Sequence, residues 1–285
     1  MSTPGVHPTQ PPLEGKRIVL TRPRAQAGDF EAHVLALGGD PVLAPAIAIE
    51  PPEAWTVADA ALRRVETYDW IVFTSANAVH AMAGRAAAIG VSRDALDTRR
   101  LAAVGPATAA AVRAAIREPD FVAATHAAES LAREIPDVEG SRILFPHGDL
   151  AGDALPAGLG HRGAFVDAVV VYRTVPGDGV SAIAAGIRAG TVDAVLFTSA
   201  SAVRFVAEAL TEPDAHDEHD SGARSAAPRG LPGWPAVMCI GPVTADAARA
   251  AGLEPVVVAE SATQNELVDR VARWFAARYD VDVEG

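Results

Sequence analysis

VFTSANAV at residues 72–79 and LFTSASAV at residues 196–203 are one phrase written twice. Each opens on a β-branched, apolar run (DWIVFT, 69–74; VDAVLFT, 192–198) and closes on a Thr-Ser pair. The period then changes. Val79, Met82 and Ala83 in the first copy, and Val203, Val206 and Ala207 in the second, recur at helical spacing. A strand that stays apolar throughout, running straight into a helix, belongs to a parallel sheet covered on both faces.

Working outward, further pieces repeat in the same order. GKRIVL at 15 matches GSRILF at 140, FTSA at 73 matches FTSA at 197, and GPAT at 105 matches GPVT at 241. The spacing of the last pair is wider because the second half carries an insertion over 211–233, TEPDAHDEHDSGARSAAPRGLPG. Ordered matches of this kind mark an internal duplication. RLAAVG (100–105), AFVDAVVVYR (164–173) and AVMCIG (236–241) complete the strong strands, with alanine-rich helical segments such as AQAGDFEAHVLALGG (25–39) between them. The expected fold class is α/β: two similar domains, each a mostly parallel sheet flanked by helices. The insertion reads as a mobile loop, and residues 1–14, punctuated by Pro4, Pro8, Pro11 and Pro12, as a disordered tail.

Composition narrows the function. A chain of 285 residues holds two ordinary domains, and 49% hydrophobic with 21% charged residues fits a soluble globular protein. Net charge is −12 and Lys16 is the only lysine, which argues against broad nucleic-acid binding but leaves room for an anionic small molecule. The longest apolar run, AVVVY, is too short to cross a bilayer, and no secretory h-region opens the chain. With one cysteine there is no internal disulfide, so the expected location is the cytoplasm. Cys239, inside an apolar strand, reads as a buried core residue.

The repeated blocks place hydroxyls where α/β sheets bind ligands, at the carboxyl ends of strands and the N-termini of helices. Ser75 and Ser199 there have two readings: caps for the first helical turn, or contacts to an anion. In GPAT and GPVT, proline suits the first helical position, and Thr108 and Thr244 follow in the first turn. Other signals are weaker. GLGHRG (158–163) lies between a helix and a strand, the reverse of a dinucleotide turn, and GDGVSA (177–182) lacks the acidic strand end such a site needs. HDEH (216–219) falls in the insertion, so no metal site is assigned.

The ordered set IVLTRPRAQAGDFEAHVLALGGDPVLAPAIAI, VFTSANAV, AAVGPATAAAV, ILFPHG, VVVYRTVP, VLFTSASAV and CIGPVTADAARAAG resembles the uroporphyrinogen-III synthase family, from about Lys16 to Phe275. The resemblance implies two α/β domains joined by two extended linkers: a discontinuous outer domain (15–46 plus 175–281) and an inserted inner domain (50–170), with the site in the cleft between them. It implies a cyclising carbon–oxygen lyase that closes hydroxymethylbilane, a polycarboxylate linear tetrapyrrole, with inversion of the last ring, loss of water and no cofactor. Tyr172 matches the family's linker tyrosine. It stands either as the group assisting departure of the hydroxyl or as packing within the linker. The substrate-binding residues carried over are Thr21, Arg22, Ser75, Asn77, Thr108, Ser199, Ser201 and Thr244; for Arg22 an ion pair is the alternative. His147, in ILFPHG, departs from the arginine common in bacterial relatives.

The expected partners are the tetrapyrrole substrate alone, without nucleic acid or membrane, for a monomer that receives its bilane by transient hand-off from the enzyme making it. The rival reading is a non-catalytic tetrapyrrole- or metabolite-binding regulator on the same frame. The short stretch AARYDVDVEG after Phe275 leaves little room for the extra module such a regulator would carry.

Overall fold

The structure, a computed structural model, describes residues 11–124, 128–211, 234–261 and 263–283. Residues 212–233 of the insertion drawn over 211–233, with its HDEH run, and residues 1–10 lie outside the described residues; Thr211 is the last residue of a helix. The tail drawn to residue 14 is too long. Pro11–Glu14 form a turn in which Leu13 is fully buried and its N–H donates to the Leu37 carbonyl at 3.0 Å.

The chain forms two units, one split (Met1–Ala48 with Pro176–Gly285) and one contiguous (Ile49–Val175). The split unit contains β1 (Arg17–Leu20), α1 (Gly28–Ala36), β2 (Asp40–Leu43) and the start of β3 (Ile47–Glu50). The contiguous unit takes the rest of β3, then α2 (Thr56–Leu62), β4 (Trp70–Phe73), α3 (Ala76–Ala88), α4 (Arg93–Asp97) and β5 (Arg100–Ala103). It continues through α5 (Pro106–Ala115), β6 (Phe121–Val122), α6 (Ala128–Glu134), β7 (Arg142–Gly148), α7 (Ala154–His161) and β8 (Phe165–Pro176). The chain then returns to the split unit with α8 (Val180–Arg188), β9 (Ala194–Phe197), α9 (Ala200–Thr211), β10 (Ala236–Cys239), α10 (Pro242–Ala250), β11 (Pro255–Val258) and α11 (Gln264–Val283).

The split unit's sheet has the order β11-β10-β9-β1-β2, with every pairing parallel. Its central strands β9 and β10 are apolar and buried at every position because both faces are covered. In β9, Val195 and Phe197 pack with Ile183, Val203, Val206 and Ala248 from α8–α10. Ala194 and Leu196 pack on the other side with Phe30, Val34, Leu267 and Val271 from α1 and α11. The contiguous unit repeats the plan with the order β3-β8-β7-β4-β5-β6. Ile71 and Phe73 of β4 face Val79, Met82 and Val112, while Trp70 and Val72 face Leu131, Leu155 and Leu159. The period-2 alternation thus divides core from core rather than core from solvent.

Apart from the β3 edge, the two sheets have one order: β2-β1-β9-β10-β11 corresponds to β8-β7-β4-β5-β6. The repeated blocks occupy equivalent places, GKRIVL and GSRILF at β1 and β7, the two FTSA blocks at the ends of β9 and β4, and GPVT and GPAT after β10 and β5. Each unit therefore combines the opening strand–helix–strand piece of one repeat with the later strands of the other. The order in which successive strands are added reverses between β1 and β9 in one unit and between β4 and β7 in the other, the switch points where doubly wound sheets bind ligands.

GDGVSA has a backbone role. A Cβ on Gly177 would lie 2.2 Å from the Pro45 oxygen, and one on Gly179 2.4 Å from the Ala44 carbonyl carbon. Their N–H groups donate to the Ala46 and Pro45 carbonyls at 3.1 and 2.9 Å. Two backbones crossing this closely have no room for side chains. Among the described residues, no helix is long and apolar enough to cross a membrane.

Candidate functional site

Four helices begin at the carboxyl ends of strands with repeated sequence, and they divide into two kinds. α3 is capped: Ser75 is extended and its Oγ accepts from the Ala78 N–H at 3.1 Å. Ser199 does the same at the head of α9, accepting from the Ala202 N–H at 3.1 Å. α5 and α10 are not capped. Each has glycine at the N-cap, Gly105 or Gly241, with no side-chain cap and with proline at the first helical position. Their first-turn N–H groups remain without intrahelical partners, and the helix dipole adds positive potential.

Thr108 and Thr244 stand in those open first turns. Each is only 5% exposed, and neither side chain makes a hydrogen bond among the described residues. Neither oxygen is a fully buried atom without a partner, so each hydroxyl keeps an accessible face beside first-turn N–H groups, an arrangement suited to an anionic oxygen. Asn77 and Ser201, second in α3 and α9, are half-buried, and Ser201 accepts from Arg204 at 3.3 Å.

Tyr172 lies on β8 where the ladder with β7 slips between His147 and Gly148, which sets Gly148 opposite the tyrosine. Its ring packs at the edge of the core that holds Phe73 and Val79. Its hydroxyl reaches Ser75 Oγ at 3.2 Å. Packing and an outward polar tip thus coexist in one side chain. Strand β4 brings Ser75 and strand β7 brings Gly148, so this group stands at the contiguous unit's switch point.

Thr21 and Arg22 follow β1, at the other switch point, and differ sharply. Thr21 is 1% exposed, and its Oγ1 donates to the Leu196 carbonyl at 2.7 Å, a bond inside the sheet rather than one offered to a ligand. Arg22 is half-buried and forms no ion pair or hydrogen bond among the described residues, in place of the ion pair weighed from the sequence. Burial pushes its guanidinium pKa down from the usual range. It lines an open groove of about 760 Å³ with Asp29, His33, Ile240, Gln264 and Asn265. The last two open α11, where Thr263 Oγ1 accepts from the Glu266 N–H at 3.4 Å. The Thr-x-x-Glu spacing of a capping box was the available signal for this helix start.

His147, the sequence equivalent of Arg22 in the second repeat, stacks on Phe145 with centroids 4.9 Å apart. Its Nδ1 donates to the Gly148 carbonyl at 2.8 Å, leaving Nε2 as the other polar edge. Cys239 is buried in β10, and desolvation pushes its thiol up to about 12, which removes it from nucleophilic chemistry at neutral pH.

A pair of doubly wound α/β units, each with an uncapped helix start and a buried threonine at its strand ends, defines a duplicated α/β protein. A sequence model described as Uroporphyrinogen-III synthase HemD matches residues 28–269, and the chain belongs to that family. A relative from Synechococcus elongatus named uroporphyrinogen-III synthase is 32% identical over 200 residues, covering 68% of this chain and 74% of that protein. The porphyrin biosynthesis protein HemD of Ruminiclostridium josui is 27% identical over 264 residues, 91% of this chain but 49% of the longer relative. In fold, the chain is similar to the crystal structure of a mutant uroporphyrinogen III synthase from Thermus thermophilus, with a TM-score of 0.63, 24% identity, and coverage of 90% of this chain and 98% of that one.

Proposed function

We propose that the protein is a uroporphyrinogen-III synthase, a cyclising carbon–oxygen lyase. It converts hydroxymethylbilane to uroporphyrinogen III with loss of water and inversion of ring D, and requires no cofactor. The observation that carries this reading is the matched pair Thr108 and Thr244, buried residues whose hydroxyls bond nothing among the described residues and keep an accessible face, each at an uncapped helix start. A polycarboxylate substrate supplies the missing acceptors. Arg22 offers a further charged contact to a carboxylate, and Asn77, Ser199 and Ser201 stand at the starts of the capped helices α3 and α9. The rival regulator is not favoured, because the family match and the Synechococcus relative carry the synthase name.

The chemistry asks little of the side chains. Loss of the terminal hydroxyl leaves a reactive azafulvene-like cation, and the protein's part is to hold the chain so that the substituted carbon of ring D attacks it. Orientation and fixed dipoles supply that selectivity without a covalent intermediate on the protein. Tyr172, a phenol at the strand ends, donates its proton to the departing hydroxyl, which leaves as water, and regains the proton that ring D releases as the closed ring rearomatises. The protein is proposed to work as a cytoplasmic monomer that receives its unstable substrate by transient hand-off.

The test is direct. Purified protein is given hydroxymethylbilane, the products are oxidised, and the isomers are separated by chromatography. The expected product is the type III isomer, formed faster than spontaneous closure. A reaction yielding only the symmetrical isomer at the uncatalysed rate overturns the assignment.

A further inference from the structure

Gly148 ends a strand of otherwise ordinary side chains, and its own missing side chain is filled by Tyr172. A Cβ built on Gly148 would lie 2.5 Å from Tyr172 Cζ, 2.6 Å from Cε2 and 2.8 Å from the hydroxyl oxygen. Contacts this short do not occur between real atoms, so alanine at 148 and the present ring position exclude each other. These three nearest atoms all belong to the outer end of the ring. Tyrosine can swing about its side-chain bonds while β7 and β8 keep their ladder.

The hydroxyl end is fixed as well. Ser75 Oγ lies 3.2 Å from the phenol oxygen and already accepts the Ala78 N–H at 3.1 Å. A hydroxyl that accepts from a helix N–H donates onward most favourably, because each bond in such a chain polarises the next. We infer that Gly148 and Ser75 are the positioning residues for Tyr172. Gly148 makes room for the ring on the strand, and Ser75 donates to the phenol oxygen so that the phenol's own hydrogen points away from the protein. When that hydrogen is given up, the serine and the helix N-terminus behind it face the resulting negative charge. This inference rests on the proposed role of Tyr172 as proton donor.

The experiment combines kinetics with one spectroscopic readout. Gly148→Ala and Ser75→Ala are made alone and with Tyr172→Phe, and kcat and KM for type III isomer formation are measured. Each single change is expected to lower kcat about 10-fold with little change in KM, as a displaced reacting group does. In the Tyr172→Phe background, Gly148→Ala is expected to cost nothing further, and Ser75→Thr restores most of the activity lost in Ser75→Ala. Equal losses with and without the phenol overturn the positioning role, since that is how a merely structural residue behaves.

Tyrosine labelled with 13C at Cζ gives the second readout. The chain has three tyrosines, so the Tyr172 signal is assigned by its loss in Tyr172→Phe. It is expected to shift in Gly148→Ala and Ser75→Ala. An unmoved signal in Gly148→Ala overturns the inference whatever the kinetics of Tyr172→Phe. A shifted signal alongside full activity in Tyr172→Phe overturns the proton-donor reading instead, and with it any catalytic meaning of the positioning.

Discussion

Thr21 Oγ1 donates to the Leu196 carbonyl across 2.7 Å, tying β1 to β9 at the split unit's switch point. Replacing that threonine by valine keeps its shape and removes the bond. Thr21→Val is expected to lower unfolding stability by about 1 kcal/mol, measured by urea denaturation, and to leave KM unchanged. A KM effect without a stability effect would return Thr21 to the substrate site.

The capped and uncapped helices make opposite predictions. Ser75→Ala and Ser199→Ala each remove an N-cap and are expected to cost about 1 kcal/mol of stability. Thr108→Val and Thr244→Val remove hydroxyls that bond nothing among the described residues, so stability is retained. A hydrogen bond to a charged group contributes roughly 1.5–3 kcal/mol, so each valine is expected to raise KM about 10-fold or more. Steady-state kinetics beside urea melts separates the two classes.

Arg22 carries a half-buried charge with no partner among the described residues. Removing an unpaired, partly desolvated charge relieves a cost. Arg22→Met is therefore expected to keep or raise the unfolding midpoint while raising KM, with a weaker salt dependence of KM than the parent shows. A fall in stability of several kcal/mol, the signature of a broken buried ion pair, would contradict this.

Cys239 tests the depth of the β10 core. Desolvation holds its thiol at about 12, so the thiolate is scarce at neutral pH. Iodoacetamide is expected to leave the folded protein unlabelled over hours and to label it readily in strong denaturant, as read by intact-mass spectrometry. Rapid labelling of the folded protein would show that the strand opens.

Glu266 anchors the start of α11. Its carboxylate accepts the Ser261 hydroxyl and the N–H groups of Glu260 and Ser261, and Arg270 lies 3.0 Å away. These hold its pKa at about 2 in the folded protein, against about 4.3 in an unfolded chain. Because the folded value is the lower one, the contribution is fully present above the unfolded value and is lost as pH falls towards about 2. The stability difference between wild type and Glu266→Gln is expected to shrink over that window in urea melts taken at successive pH values.

Much of this molecule was legible from the chain alone, for physical reasons that differ by residue. VFTSANAV and LFTSASAV show their strands because burial on both faces leaves no polar position. GPAT and GPVT show helix starts because proline and glycine have few other uses there. The Thr21 bond was not legible, because its partner depends on which distant strand lies alongside. Ser75 and Ser199 carried two meanings until the Ala78 and Ala202 N–H groups were in place. The backbone crossing at Gly177 and Gly179 was not legible either: GDGVSA could be set aside as a nucleotide loop, but the Ala44–Ala46 backbone that demands its glycines lies far off in sequence. The groove at Gln264 and Asn265 joins three remote segments, and only the THR-x-x-GLU spacing at residue 263 hinted at its edge.

The exchange of opening pieces between the two repeats sets an order for biosynthesis. Residues 49–175 emerge from the ribosome as one stretch with all the strands from β4 to β8, so that sheet can assemble while translation continues. β1 meets β2 early, but its other edge waits: Ile18 pairs with Ala194, and that neighbour is made only after the whole contiguous unit. The nascent β1–β2 pair thus carries one open strand edge through the synthesis of the contiguous unit, a template for mispairing until β9 arrives to cover it.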